Sequence, residues 1–293
     1  MRSFRIGAPP LDAGAGILRP PPLAAPSAGS IRRSPARLEY YPLSPDAYLE
    51  MSETEDRHWW FRGRRRILST LVASLGLPAQ ARILEVGSGT GGNLRMLSGF
   101  GRVSAMEMDA SAREIAARKL GGGFDVRAGR CPGEIPFAGE RFDLICMFDV
   151  LEHIEEDVET LRALRGLLAE GGRLLVTVPA CRWLWSAHDE FLHHKRRYTA
   201  VGLRQVAEGA GLEVRRLSHF NTLLFPLAAL ARLKDRLLGS EQATGTAVPA
   251  GPVNAAFEGI FALERHLLPR LDLPFGVSLM TILAAPAARQ PGR

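Results

Sequence analysis

The chain is poor in cysteine. Its 293 residues hold three, Cys131, Cys146 and Cys181, an odd number without C-x-x-C spacing. That excludes a disulfide framework and a zinc ribbon and points to a reducing, cytoplasmic setting. Long apolar runs are also missing: Leu223–Ala231 is uninterrupted but only nine residues long, well short of the roughly 20 that a membrane-spanning helix needs. Acids are scarce at the start. Residues 1–37 carry six arginines against one acid, so they account for +5 of the formal +6 and leave the rest at +1. A body so nearly neutral is not a polyanion binder, and no nucleic-acid partner is expected. The same 37 residues hold seven of the 20 prolines and no hydrophobic periodicity, which reads as a disordered, dispensable leader. It has the arginine and serine of a transit peptide but not the apolar run of a secretory signal.

What is present is an alternation. "LSPDAYLEMSETEDRHWWFRGRRRILSTLVASLGLP" predicts two helices, the first capped by Ser44 and the second by a capping box of Ser52 and Glu55. From Arg82 short apolar runs alternate with helical stretches: strand "RILEV", a helix after "GSGTGGN", strand "VSAME", helix "ASAREIAARKL", strands "FDVRA" and "FDLICMF". Helix "EEDVETLRALRGLLAE", strand "GRLLVTVP", a loop, helix "AVGLRQVAEGAGL" and strand "EVRRLSHF" follow, and "GVSLMTILAAP" is the last strand. The pattern predicts an α/β fold, a mostly parallel sheet with helices on both faces. The expected organisation is a leader (1–37), an N-terminal helical cap (38–78), a core (79–221), a helical insertion (222–275), the last core strand (276–286) and a tail (287–293).

"ILEVGSGTGGN" runs from strand through a glycine loop into a helix. Gly87, Gly89 and Gly91 permit a sharp turn that brings backbone N–H groups against a ligand, with Ser88 and Asn93 in the same loop. Gly92 completes G-x-G-x-x-G, so a nicotinamide-binding fold is an alternative. Two acids argue otherwise. Glu85, inside the strand, suits a ligand with a positive ammonium such as S-adenosylmethionine, and Glu107, some 20 residues on, is placed for ribose hydroxyls. Asp109 is its near neighbour.

With these residues the chain from about Arg82 to Leu217 resembles the class I S-adenosylmethionine-dependent methyltransferases. "LEVGSGTGGN", "AMEMD", "IPFAGERFDLICMFDVLEHI" and "LLAEGGRLLVTVP" carry the resemblance. It implies a Rossmann-like seven-stranded sheet of order 3-2-1-4-5-7-6 with the seventh strand antiparallel. It also implies an adenine contact near Cys131, where family members often have Asp, so backbone groups would have to substitute. The layout "HWWFRGRRRIL", "SAHDEFLHHKRRYT", "LPFGVSL" is similar to a bacterial methyltransferase group of undefined substrate, across most of residues 40–286.

Methyl transfer to a hydroxyl needs a base at the carboxyl ends of strands four and five. In "DVLEHI", Asp149, Glu152 and His153 lie at i, i+3 and i+4 and share a face if helical; Asp149 would also adjoin the cofactor. The segment resembles the acid-x-x-Glu-His stretch of quinone-biosynthesis O-methyltransferases, which would imply a divalent ion, while His153 packed near the cofactor is the alternative. In "SAHDEFLHHKRRY", His188 with Asp189 is read as a base and its orienter, His194 as a further candidate, and Arg197 and Tyr198 as groups that position a carboxylate, phosphate or phenol. The spacing of its histidines fits no zinc motif. "HWWFRGRRR" is either a dock for the N-terminal helix or a lid. The segment 223–238, apolar and then basic, lies in a membrane interface, walls an apolar acceptor pocket or packs in a core. The resulting expectation is O-methylation of a small or lipid-like acceptor in the cytoplasm, with peripheral membrane contact through 223–238. Rivals are a non-catalytic binding protein and a nicotinamide oxidoreductase.

Overall fold

β1 (Ala81–Val86), β4 (Phe142–Phe148) and β5 (Leu168–Pro179) form the middle of a seven-stranded sheet. Each is rich in Leu, Ile, Val or Phe and buried over most of its length, as strands covered on both faces must be. β2 (Gly101–Glu107) and β3 (Asp125–Ala128) extend it on one side, β7 (Ser278–Ala284) and β6 (Glu213–Phe220) on the other, giving the order β3-β2-β1-β4-β5-β7-β6. β7 runs antiparallel to both neighbours, with Leu175 opposite Ile282 and Leu217 opposite Thr281. The other pairings are parallel. This is the Rossmann-like order that the resemblance implies. The computed structural model describes residues 45–238 and 247–286; the leader, the Ser44 cap and the tail lie outside the described residues.

The helices are α1 (Pro45–Thr54), α2 (Trp59–Ala73), α3 (Leu94–Leu97), α4 (Ala110–Leu120), α5 (Asp157–Arg165), α6 (Ala187–Phe191), α7 (Ala200–Gly209), α8 (Phe225–Leu238) and α9 (Gly251–Leu263). Alternate residues of the central strands enter opposite layers. Leu84, Ile145 and Val176 pack with Leu161 and Leu164 of α5 and Leu203 of α7. Ile83, Leu144 and Leu175 pack with Ile67, Leu68 and Leu71 of α2 and Phe261 of α9.

Two local expectations are corrected. Ser52 lies inside α1 and caps nothing; α2 starts at Trp59, whose cap is His58, with Nδ1 accepting from the Trp60 N–H at 3.2 Å. Glu55 is drawn away instead to the Thr90 hydroxyl (2.8 Å) and Lys119 Nζ (2.7 Å). The helix after the glycine loop is one turn long. The helix expected through Glu170 stops at Arg165, because Leu168 already pairs with Phe142 in β5, before a register shift and the left-handed Gly171. In "HWWFRGRRR", Trp59 meets Phe257 and Phe261 at ring-centroid distances of 5.5 and 5.8 Å, docking α2 on α9. Arg62 and Arg66 pair with Glu258 at 3.0 and 2.7 Å.

Candidate active site

The loop after β1 bends at the sheet's carboxyl edge. Gly87 has φ +71° and Gly89 φ +53°, a region costly for any side chain. A Cβ on Gly87 would sit 2.6 Å from Val150 Cγ2, whereas one on Gly89 would meet nothing within 4 Å. Gly87 is therefore needed for packing, and the bare face of Gly89 borders open space. Gly91 lies in the same turn.

Four of the loop's N–H groups are used within the protein. Gly87 and Ser88 donate to the Met106 carbonyl at 2.8 and 3.2 Å, Gly91 to that of Ser88 at 2.9 Å, and Gly89 to Glu107 Oε2 at 2.8 Å. For these four donors the expected presentation to a ligand is corrected, since the protein itself satisfies them. A pyrophosphate, which needs such donors, is poorly served.

The loop offers acid instead. Glu85 is buried; its Oε1 accepts from Asn93 Nδ2 at 2.8 Å and its Oε2 has no hydrogen-bond partner among the described residues. Burial pushes the Glu85 carboxyl up to about 7, against the Asn93 hydrogen bond and the Arg64 charge. A buried acceptor without a donor is costly, and an ammonium would satisfy it. Glu107 accepts from the Gly89 and Asp109 N–H groups at 2.8 and 2.9 Å, one on each oxygen, which leaves lone pairs for ribose hydroxyls. Burial raises its pKa despite these bonds. Asp109 caps α4, accepting from the Ala112 N–H at 2.9 Å. The Ser88 hydroxyl is buried in the same loop and has no partner among the described residues.

Cys131 lies in the loop after β3 with its side chain buried. Its thiol packs in the core layer of Leu84, Val86 and Met106, and burial pushes it up to about 12. The side chain is inert toward adenine, and what this loop can offer is backbone, held in a tight turn by reciprocal Arg130–Glu134 bonds of 2.9 and 2.8 Å.

Sequence reading missed Arg64. α2 buries it against the Trp60 and Phe148 rings, 4.8 and 5.6 Å from the centroids, and it forms an ion pair with Asp149. The signal was available: Arg64, Ile67, Leu68 and Leu71 fall at i, i+3, i+4 and i+7, so a guanidinium occupies the apolar stripe. Asp149 has φ +54° and donates its N–H to Thr177 O at 2.9 Å. It is not helical, and the 3-10 turn Leu151–His153 starts only after it. The expected common face of Asp149, Glu152 and His153 is therefore absent, and Asp149 faces Arg64.

The loop after β5 supplies the other side. Asp189, in α6, is fully buried and takes five hydrogen bonds: Arg197 Nε at 2.7 Å, Arg197 Nη2 at 3.0 Å, the Ser186 N–H at 2.9 Å, the Ser186 hydroxyl at 3.3 Å, and His194 Nδ1 at 2.9 Å. Burial alone would raise this carboxyl, but the His194 and Arg197 bonds outweigh it and hold it well below the usual range. The expected His188–Asp189 pair is thus replaced by Asp189–His194, because Asp189 turns inward while the His188 ring stays part-exposed, its centroid 6.5 Å from that of His194. Arg197 and Tyr198 are structural rather than free to hold an acceptor. Arg197 also donates to Ala180 O at 3.0 Å, and Tyr198 donates to Asp157 Oδ2 at 2.9 Å; a buried guanidinium needs its carboxylate.

His153 stacks edge-on against His194 with centroids 4.7 Å apart, and His194 Nε2 lies 3.9 Å from Glu152 Oε1. Glu152 is fully buried, and neither oxygen has a hydrogen-bond partner among the described residues. Burial and the Asp149 charge push it well above the usual range. Burial, then the charges of His194 and His193, lowers His153 to about 3, so its imidazole is neutral. Glu152, His153 and His194 offer ligand atoms all within 4.8 Å of one another. Asp149, expected as a ligand, is replaced in this group by His194.

The family described as a methyltransferase domain matches residues 59–217, more than half of the chain. A Mycolicibacterium smegmatis protein named "Probable S-adenosylmethionine-dependent methyltransferase" is 28% identical over 190 residues, 63% of this chain and 70% of that protein. Among solved structures, a chain of the complex between the Haloferax volcanii Trm112 methyltransferase activator and a methyltransferase aligns with TM-score 0.54 and 17% identity, over 85% of this chain and all of that one. Haemonchus contortus phosphoethanolamine N-methyltransferase 2, in complex with S-adenosyl-L-methionine, aligns with TM-score 0.52 and 14% identity, over 75% of this chain and 52% of that one. At such identities these two are likenesses of fold. The matched family span opens with the helix that carries Arg64 and closes within β6, so it takes in both the acidic loop and the histidine side. The chain belongs to the methyltransferase domain family and is a class I S-adenosylmethionine-dependent methyltransferase.

Proposed function

We propose that the methyl group goes to an oxygen of a small or lipid-like acceptor, and that the Asp189–His194 pair takes the acceptor's proton. The observation that carries this reading is the 2.9 Å contact between Asp189 and His194 Nδ1. S-adenosylmethionine, when bound, supplies an already activated methyl group, so the chain's own work is alignment, exclusion of water and proton removal. On this reading Glu85 holds the cofactor's ammonium, Asn93 positions Glu85, and Glu107 takes the ribose hydroxyls. Asp189, clamped by Arg197 and Ser186, fixes the His194 ring so that Nε2 is the basic nitrogen. The part-exposed His188 ring is its neighbour, 6.5 Å from the His194 ring between centroids.

The lipid-like part rests on α8 and its neighbours. Leu227, Leu230 and Leu233 are 51, 62 and 54% exposed, and Trp183 and Phe275, on loops at the same edge of the sheet, 47 and 48%. Phe225 joins them, 5.9 Å from Trp183 and 5.6 Å from Phe275 between ring centroids. Such a surface suits peripheral contact with a membrane. Among the described residues no helix is long and apolar enough to cross one.

The test is incubation with methyl-labelled donor and a cell extract split into polar and lipid phases. Label is expected on oxygen in one product, and His194→Ala should lower transfer by about 10²–10⁴-fold while affinity for S-adenosylhomocysteine stays within about twofold. Label found on nitrogen or carbon, or undiminished transfer by the variant, overturns the reading.

A further inference from the structure

We propose that Glu152, His153 and His194 bind one divalent first-row transition ion, and that Asp189 is the positioning residue for His194. Three observations meet here. First, one carboxylate oxygen and two imidazole nitrogens lie within 4.8 Å of one another. An equilateral triangle of that side has its centre about 2.8 Å from each corner, so the side chains need close by only about 0.7 Å to reach the roughly 2.0–2.1 Å of zinc–nitrogen and zinc–oxygen bonds. Second, Glu152 is fully buried, and both of its oxygens lack a hydrogen-bond partner among the described residues. A buried carboxyl left this way calls for a positive partner; the Arg64 and Arg197 charges reach it but are paired to Asp149 and Asp189, and the ring nitrogens grouped with it belong to two imidazoles. Third, the His194 ring is held by its other nitrogen: Nδ1 meets Asp189 Oδ1 at 2.9 Å, which leaves Nε2 on the side of Glu152, 3.9 Å from its Oε1. Carboxylate or carbonyl on one ring nitrogen and metal on the other is the usual outer-shell arrangement of metal-binding histidines.

Two imidazoles with one carboxylate favour zinc, iron, cobalt or nickel over magnesium or calcium, which prefer all-oxygen shells. Three protein ligands leave coordination positions open. The base role of His194 Nε2 belongs to the ion-free chain; with an ion bound that nitrogen would be a ligand, and the ion would lower the pKa of an acceptor hydroxyl so that its proton goes to solvent. The proposal stands independently of the acceptor's identity, since its readout is binding alone.

Untagged, chelator-stripped full-length protein is titrated with Zn2+ by calorimetry and with Co2+ by visible absorption, Mg2+ being the contrasting ion. One Zn2+ per chain is expected, with the intense visible bands of low-coordinate cobalt and no heat from Mg2+. Glu152→Gln and His194→Ala each weaken Zn2+ binding at least about 100-fold, and Asp189→Asn about 10–100-fold, while His266→Ala, outside the cluster, leaves it unchanged. Thermal stabilisation by S-adenosylhomocysteine confirms that each variant is folded; if Asp189→Asn is not, the near-isosteric Glu152→Gln decides. No binding at micromolar Zn2+, or binding retained in either Glu152→Gln or His194→Ala, overturns the proposal. Failure here leaves the oxygen-acceptor reading untouched, because methyl transfer is measured separately.

Discussion

Raising the pH from 6 to 8 should tighten binding of S-adenosylhomocysteine about tenfold through Glu85. That carboxyl titrates at about 7 in the free protein, chiefly because it is buried. The groups facing it are Arg64 from α2, which favours ionisation, and Glu55 and Glu107, which oppose it. About one-tenth of Glu85 is ionised at pH 6 and nine-tenths at pH 8; if only the carboxylate pairs with the ligand's ammonium, affinity follows that fraction, about 1.4 kcal/mol in all. Stability of the free protein moves the other way. The folded pKa lies above the ordinary 4.5, so the native state keeps a proton that the unfolded chain releases. This contribution is complete below about 4.5 and is lost as pH rises through about 7, a change on the order of 3 kcal/mol. The free protein's Tm should therefore fall across the window in which the ligand-induced rise in Tm grows. Calorimetry in buffers of different ionisation enthalpy should record release of nearly one proton at pH 6. Glu85→Gln should flatten both slopes and weaken binding at pH 8 by about 1.5–3 kcal/mol, the worth of a charge-assisted hydrogen bond. Affinity independent of pH in the native chain, or an unchanged slope in Glu85→Gln, refutes the assignment.

Gly87→Ala should cost about 2–3 kcal/mol in urea unfolding, from a left-handed φ and a clash with Val150, and Val150→Ala should recover part of it. Arg64→Met leaves Asp149 without its cation and should lower stability by about 3 kcal/mol; Asp149→Asn should restore much of that in the double variant, and additive losses would contradict the pairing. Leu227→Glu with Leu230→Glu should abolish co-sedimentation with anionic vesicles while leaving the urea midpoint unchanged, both side chains being exposed; native protein that fails to sediment removes the membrane reading.

What could be read from the sequence was local. β1 and its glycine loop, and the choice of Glu107 over Asp109, follow from spacing within a dozen or two residues, and the two acids do separate in the structure: one accepts from the loop, the other caps α4. What could not be read depends on how a short element turns. Asp189 sits beside His188 in sequence, yet one turn of α6 and the left-handed His193 carry its carboxylate to His194. Arg64 lies outside the strand–helix alternation, so its stripe of apolar neighbours passed as a docking face. The early end of α5 was hidden because "LLAE" has helical propensity, while pairing with Phe142 makes it strand.

The place of β7 has a consequence for how the chain is made. β6 pairs with β7 alone, and β7 also covers the outer edge of β5. Until residues 278–284 emerge from the ribosome, β6 has no partner and one edge of β5 is bare. At usual synthesis rates of about 5–20 residues per second, that interval is on the order of several seconds after β6 is complete. β1, β2 and β4, with the glycine loop, Glu85 and Glu107, have by then long been exported. The half of the sheet that holds the glycine loop can thus form on the nascent chain, while the half beyond β5 waits for the last strand. A bare, apolar β5 edge during that wait is where a nascent-chain chaperone has reason to engage.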